Sequence, residues 1–213
     1  MRSSFLQALA GTRLYPITDR HLSGVSHVEQ VGLLIDGGAT LIQLREKTDP
    51  PLQFFAQAEQ ALDVARARNA KIIINDRVDI ALALGADGVH LGQEDLAPDA
   101  ARRILGDDAI IGFSTHNLEQ ARLAAQMPVD YVAIGPIFST STKQSQNLSV
   151  GLDELARVRD ALGAISIVAI GGITSENIEA TLKAGADAAS VIADIWSSVL
   201  DMPTKTRQLL KLS

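Results

Sequence analysis

Eight short apolar runs, separated by segments of helical spacing, leave a chain of 213 residues few folds to choose from. The runs are Leu14–Thr18, Thr40–Leu44, Lys71–Asn75, Gly88–Leu91, Ile110–Phe113, Tyr131–Ile134, Ile165–Ile170 and Ala188–Ile192. Runs this short and this continuously apolar read as strands buried on both faces. Between them, Leu52–Arg68, Leu118–Gln126, Leu152–Leu162 and Glu176–Ala184 carry helical spacing, with helix starts expected at Asp49-Pro50-Pro51 and Thr174-Ser175-Glu176. Similar text precedes several strands: Asp36-Gly-Gly-Ala-Thr, Gly85-Ala-Asp-Gly and Gly185-Ala-Asp-Ala. In each, a glycine suits the left-handed residue that ends a helix, and the next strand follows at once. Eight strand-then-helix units in about 200 residues predict a (β/α)8 TIM barrel. It forms one domain over 1–213, with no linker or composition shift to divide it. An open doubly wound sheet would need a switch point, and no early Gly-x-Gly-x-x-Gly supplies one. Pro16 sits awkwardly in the first strand, because it cannot donate a ladder hydrogen bond.

The chain is 46% hydrophobic but only 4% aromatic, so the core must be aliphatic. A net charge of −6 argues against nucleic acid or an acidic membrane surface as the main partner. Any phosphate site is therefore a local gathering of cations on an acidic protein. There is no cysteine, which removes disulfides and thiolate ligands. No apolar run approaches the roughly 18 residues of a membrane span. The segment Met1 to Gly11 is too short for a secretory signal, so a cytoplasmic location is expected.

On such a barrel, chemistry gathers at the C-terminal ends of the strands. Strand 2 ends in Gln43-Leu44-Arg45-Glu46-Lys47, and alternation sends Gln43, Arg45 and Lys47 to one side. One amide and two cations suit a polyanion such as pyrophosphate; the plainer alternative is a solvated strand end balanced by Glu46. Asp76 and Asp95, at neighbouring strand ends, offer two hard oxygen ligands suited to Mg²⁺ with retained waters and a substrate phosphate. Their alternatives are a helix N-cap for Asp76 and a loop carboxylate for Asp95. Strand 6 opens a loop from Gly135 to Lys143 that is rich in hydroxyls. Gly171-Gly172-Ile173-Thr174, after strand 7, bares backbone N–H groups ahead of a helix, a general phosphate device. It could equally be a tight turn that needs small residues. The histidines His21, His27, His90 and His116 lack zinc-ligand spacing. His90, within strand 4, reads as packed or hydrogen-bonded, and His116 is a secondary candidate at the rim. No Gly-x-Ser-x-Gly elbow marks a serine hydrolase.

Taken together, these stretches resemble the thiamine-phosphate synthase family. The resemblance rests on Ile17-Thr-Asp19, Gln43-Leu-Arg-Glu-Lys47, Ile74-Asn-Asp-Arg-Val-Asp79 and Gly85 through Asp95. It continues in Ser114-Thr-His116, Asp130 through Pro136, Thr140-Ser-Thr-Lys143 and Ala169-Ile-Gly-Gly-Ile173. It implies a Mg²⁺-dependent transferase that couples 4-amino-5-hydroxymethyl-2-methylpyrimidine diphosphate with a thiazole phosphate, with dissociative loss of pyrophosphate. Gln43, Arg45, Lys47, Asn75 and Lys143 would bind the pyrimidine diphosphate, with Ser114 near its ring, and Asp76 and Asp95 would hold Mg²⁺. Thr140, Thr142, Gly172, Ile192 and Ala193 would line the thiazole phosphate site. Arg45, Lys47, Lys143 and Ser114 form the expected catalytic set. The partners expected are small-molecule substrates, with no nucleic acid and no membrane, and a homo-oligomer is left open.

The chain departs from the family pattern at Ala193, where a serine is usual, and at Ser139, where a proline is common. Asp194 adds an acid beside the phosphate site. A hydrogen bond to a charged group is worth roughly 1.5–3 kcal/mol, so the missing hydroxyl should weaken thiazole phosphate binding if nothing compensates. Two rivals remain: the related thiazole tautomerase, which would use His116 as acid and base, and a non-catalytic phosphate-binding barrel. The first does not need the Gln43, Arg45 and Lys47 triplet or the aspartate couple, and decay toward the second would have struck them first.

Overall fold

The computed structural model describes residues 3–139, 149–197 and 201–213. In chain order the elements are α1 (Ser3–Ala8), β1 (Leu14–Pro16), α2 (Arg20–Ser23), α3 (His27–Asp36), β2 (Leu41–Leu44), α4 (Pro51–Ala67) and β3 (Lys71–Asn75). Then come α5 (Val78–Leu84), β4 (Gly88–Leu91), α6 (Pro98–Leu105), β5 (Ile110–Thr115), α7 (Leu118–Ala124) and β6 (Tyr131–Ile134). The chain ends with α8 (Gly151–Leu162), β7 (Ser166–Ile170), α9 (Ile178–Lys183), β8 (Ala188–Val191), a 3₁₀ turn (Ile195–Ser197) and α10 (Met202–Leu212).

All paired strands are parallel, in the order β1-β8-β7-β6-β5-β4-β3-β2. A bridge between Ile17 and Gln43 joins the two ends of that order and closes the barrel. This seam accounts for Pro16. The Ile17 N–H donates to the Val191 carbonyl and the Thr18 N–H to the Gln43 carbonyl. By strand alternation, the missing N–H of Pro16 therefore falls on the β2 side, before β1 and β2 begin to bond.

The Ala-Asp text ahead of the strands is a staple. Asp87 accepts the Ile72 N–H at 2.8 Å and Asp187 accepts the Ile167 N–H at 2.8 Å, each binding the start of the preceding strand. Asp130 does the same for Ile111 at 2.8 Å. A cation answers each carboxylate: Lys71, Arg159 and Arg102 respectively.

Outward-facing strand residues such as Ile72, Ile74, Val89 and Ile167 pack under the helices, while Leu41, Ile73, Val168 and Ala188 fill the barrel interior. α1 plugs the end of the barrel opposite the strand termini. Its Phe5 stacks on Tyr131 with ring centroids 4.2 Å apart and meets Tyr15 edge-on at 5.9 Å.

Some boundaries differ from expectation. β5 runs on to Thr115, whereas β1 stops at Pro16 and β8 at Val191. α4 begins at Pro51 without a side-chain cap, because Asp49 is turned toward Arg20 and Gln57. α9 begins at Ile178 rather than Glu176, since Thr174 to Asn177 form a turn in which Asn177 Oδ1 accepts the Thr174 N–H at 2.9 Å.

Candidate active site

β2 ends at Leu44, so strand alternation does not carry Arg45 and Lys47 to one side as expected. The loop is held by Glu46 instead. Its Oε1 accepts the backbone N–H groups of Lys47, Thr48 and Asp49 and the Thr48 hydroxyl. Its Oε2 faces His27 Nε2 at 3.3 Å and Arg20 at 3.7 Å. His27 is fully buried, and burial lowers its pKa against the opposing pull of Glu46. Its Nδ1 meets the Thr18 hydroxyl at 2.8 Å, and that oxygen accepts the Arg45 N–H at 3.2 Å. The loop that carries the cations is thus tied back to β1 and α3.

Held this way, the two cations lean toward different neighbours. Arg45 donates to Asp19 at 3.0 Å, beside the end of β1. Lys47 Nζ lies 2.5 Å from Asp76 Oδ2, at the end of β3. Asp76 is not the N-cap of α5, which is Arg77; it occupies a left-handed conformation with φ of 62°. A non-glycine residue held there costs energy, and such strain gathers at functional sites. Asp95 folds back so that its Oδ2 accepts the Gly92 N–H at 2.7 Å. Partial burial and the adjoining Asp76 carboxyl push the Asp95 pKa up, against the Gly92 N–H and Lys47. The two aspartates therefore meet, with a lysine on one of them. Among the described residues no cluster of three or more acidic, histidine or cysteine side chains is suited to a metal.

Inside the rim, Gln43 and Asn75 are buried, and the Asn75 Nδ2 has no hydrogen-bond partner. Ser114 lies at the end of β5 with its Oγ 2.8 Å from His90 Nε2. His116 is turned aside, its Nδ1 2.7 Å from the Gly135 carbonyl. A cavity of about 380 Å³ opens beside Asp76, but its walls at Val78, Leu82, Leu96 and Ile104 are apolar and unsuited to a diphosphate.

Gly172 has φ of 67°, and a Cβ there would lie 2.7 Å from both Phe138 Cβ and the Ser139 carbonyl. The glycine is thus required by close approach of the loop after β6, whatever else its N–H does. Ile192 and Ala193 form the turn between β8 and the 3₁₀ turn, whose Trp196 indole N–H donates to the Ile17 carbonyl at 3.0 Å. Asp194 accepts the Ser175 N–H at 3.1 Å and pairs with Lys205 of α10 at 3.2 Å. Thr140, Thr142 and Lys143 lie outside the described residues.

The parallel barrel thus brings Lys47, Asp76 and Asp95 together beyond the C-terminal ends of its strands. The chain belongs to the thiamine monophosphate synthase family, whose model matches residues 14–195. It is 45% identical to a thiamine-phosphate synthase of Clostridium novyi over 184 residues, covering 86% of this chain and 90% of that one. It is 42% identical to the Chloroflexus aurantiacus enzyme of the same name, covering 94% and 92%. The solved thiamine phosphate pyrophosphorylase from Pyrococcus furiosus superposes with a TM-score of 0.87 at 35% identity, covering 98% and 96% of the two chains.

Proposed function

We propose that this chain joins 4-amino-5-hydroxymethyl-2-methylpyrimidine diphosphate to a thiazole phosphate, giving thiamine phosphate and pyrophosphate. The observation that carries this reading is the contact of Lys47 with Asp76 while Asp95 faces the same carboxyl. Cation and carboxylate couple thus share one mouth, at the end of the barrel where barrel enzymes do chemistry.

Two carboxylates crowded together, one with a raised pKa, are a donor set that fits a hard divalent cation. Asp76 and Asp95 would hold Mg²⁺, which when bound supplies positive charge against the diphosphate oxygens. Lys47 then turns from Asp76 onto the diphosphate, and Arg45, with Lys143, binds the rest of it. The C–O bond breaks with its electron pair leaving on pyrophosphate, and the pyrimidine delocalises the positive charge left on carbon. The thiazole nitrogen lone pair then forms the new C–N bond. No protein nucleophile is needed, and His116 has no part in the step.

What the protein contributes is charge fixed in advance where negative charge develops. A unit pair at about 4 Å in an effective dielectric near 20 is worth roughly 4 kcal/mol before desolvation. Enzymes commonly lower barriers by about 8 kcal/mol or more, so one lysine falls short and several cations acting together suffice. Asn75 and Ser114 contact the pyrimidine, Gln43 orients it, and Gly172, Ile192 and Ala193 with Thr140 and Thr142 take the thiazole phosphate.

The test is incubation of the purified protein with both substrates and Mg²⁺. Pyrophosphate release that requires the thiazole phosphate is expected. Release at the same rate without it, or no release at all, contradicts the reading.

A further inference from the structure

Below the mouth, a chain of hydrogen bonds crosses the barrel interior. Gln43 Nε2 donates to the Tyr15 hydroxyl at 3.2 Å, and the Tyr15 and Tyr131 hydroxyls meet at 3.0 Å. The Tyr131 hydroxyl meets His90 Nδ1 at 2.9 Å, and His90 Nε2 meets Ser114 Oγ at 2.8 Å. Gln43, Tyr15, Tyr131 and His90 are all buried. The sequence is fitted to this chain: a Cβ at Gly112 would lie 2.0 Å from Tyr131 Cζ, so only glycine leaves room for the ring.

A buried chain of single hydroxyls must have a direction, because each hydroxyl has one proton to give. With the Gln43 NH₂ facing Tyr15, as the structure places it, the Tyr15 oxygen accepts and its proton goes to Tyr131. Tyr131 in turn donates to His90 Nδ1, which must carry no proton. His90 therefore holds its proton on Nε2 and donates to Ser114 Oγ. Burial raises the pKa of both tyrosines, keeping them neutral donors. The last proton, on Ser114, is left to point at whatever lies in the mouth, and the Gln43 amide oxygen is left to accept.

We infer that Tyr15, Tyr131 and His90 are positioning residues that fix the hydrogen-bond polarity of the pocket. Through them Gln43 presents an acceptor and Ser114 a donor, so the pocket selects a ring that carries an exocyclic amine and an unprotonated ring nitrogen. This inference rests on the reading that Gln43 and Ser114 face the pyrimidine. It goes further by making the choice of ring depend on three side chains that act through those two.

¹⁵N NMR of the intact, histidine-labelled protein reads the tautomer directly, with the His90 signals assigned by their loss in His90→Gln. A proton on Nε2 is expected; a proton on Nδ1 overturns the inference. In steady-state kinetics, Tyr131→Phe should raise KM for the pyrimidine diphosphate tenfold or more and leave KM for the thiazole phosphate within twofold. His90→Gln, whose amide can both accept from Tyr131 and donate to Ser114, should retain most activity, and His90→Leu should not. An unchanged Tyr131→Phe, or equal losses in the two His90 variants, overturns it. The parent reading fails separately: Gln43→Ala and Ser114→Ala would then leave KM for the pyrimidine diphosphate unchanged.

Discussion

Glu46 stays ionised in a place where its side chain is only 4% exposed. Burial alone would raise its pKa, but the N–H groups of Thr48 and Asp49, the Thr48 hydroxyl and His27 outweigh that and bring it to about 2. A carboxylate depressed in the folded state adds stability above its unfolded pKa and loses it as pH falls through the folded value. Each pKa unit is about 1.4 kcal/mol, so Glu46 contributes on the order of 3 kcal/mol at neutral pH. Denaturation from pH 5 down to pH 2 should therefore show a steep loss of stability that is flatter in Glu46→Gln. His27 adds a loss in the same sense below pH 6.5, since its lowered pKa lets the unfolded chain bind the proton first. Identical acid limbs in wild type and Glu46→Gln would contradict this role. Glu46 reads in the sequence as a charge balancing Arg45 and Lys47, because its partners come from α3 and from its own backbone, which no spacing announces. At Asp194 the ion pair with Lys205 offsets the acid beside the expected thiazole phosphate site. Lys205→Ala should raise KM for the thiazole phosphate several-fold, and adding Asp194→Asn should restore it. A double variant no better than the single one would contradict this compensation.

At the scale of elements, the strands were the legible part and the ends of the chain were not. β3, β4 and β6 fall where their apolar runs lie, because each run is bounded by a polar residue or glycine that cannot continue a buried strand. α1 escaped notice because six residues carry too little periodicity, and its place is set by aromatic contact inside the barrel. Phe5 is 1% exposed, so Phe5→Ala should cost roughly 3 kcal/mol in urea denaturation, within the range for deleting a buried aromatic ring. A loss under about 1 kcal/mol would mean that α1 does not plug the barrel in solution. The Ala-Asp staples were visible as repeated text, but their partners on the preceding strand became apparent only once the strands were paired.

On the scale of the whole molecule, a protein of net charge −6 sets Lys47 against Asp76 at one mouth, with Asp95 beside the same carboxyl. The motifs made Lys47, Asp76 and Asp95 legible as a group. The polar interior below them was not, since Tyr15 and Tyr131 look like ordinary core aromatics until the barrel brings them together. If the aspartates bind Mg²⁺, a ligand at a hundredfold its Kd stabilises the fold by about 2.7 kcal/mol. Thermal melts should therefore rise with Mg²⁺ in the wild type and stay flat in Asp76→Asn; a flat wild type would contradict the metal site. The central claim is that fixed positive charge draws the diphosphate away from carbon. The most direct measurement is kcat of Lys47→Ala with both substrates and Mg²⁺ saturating. The account predicts a fall of a hundredfold or more with the fold intact, and a kcat within a few-fold of wild type would contradict it.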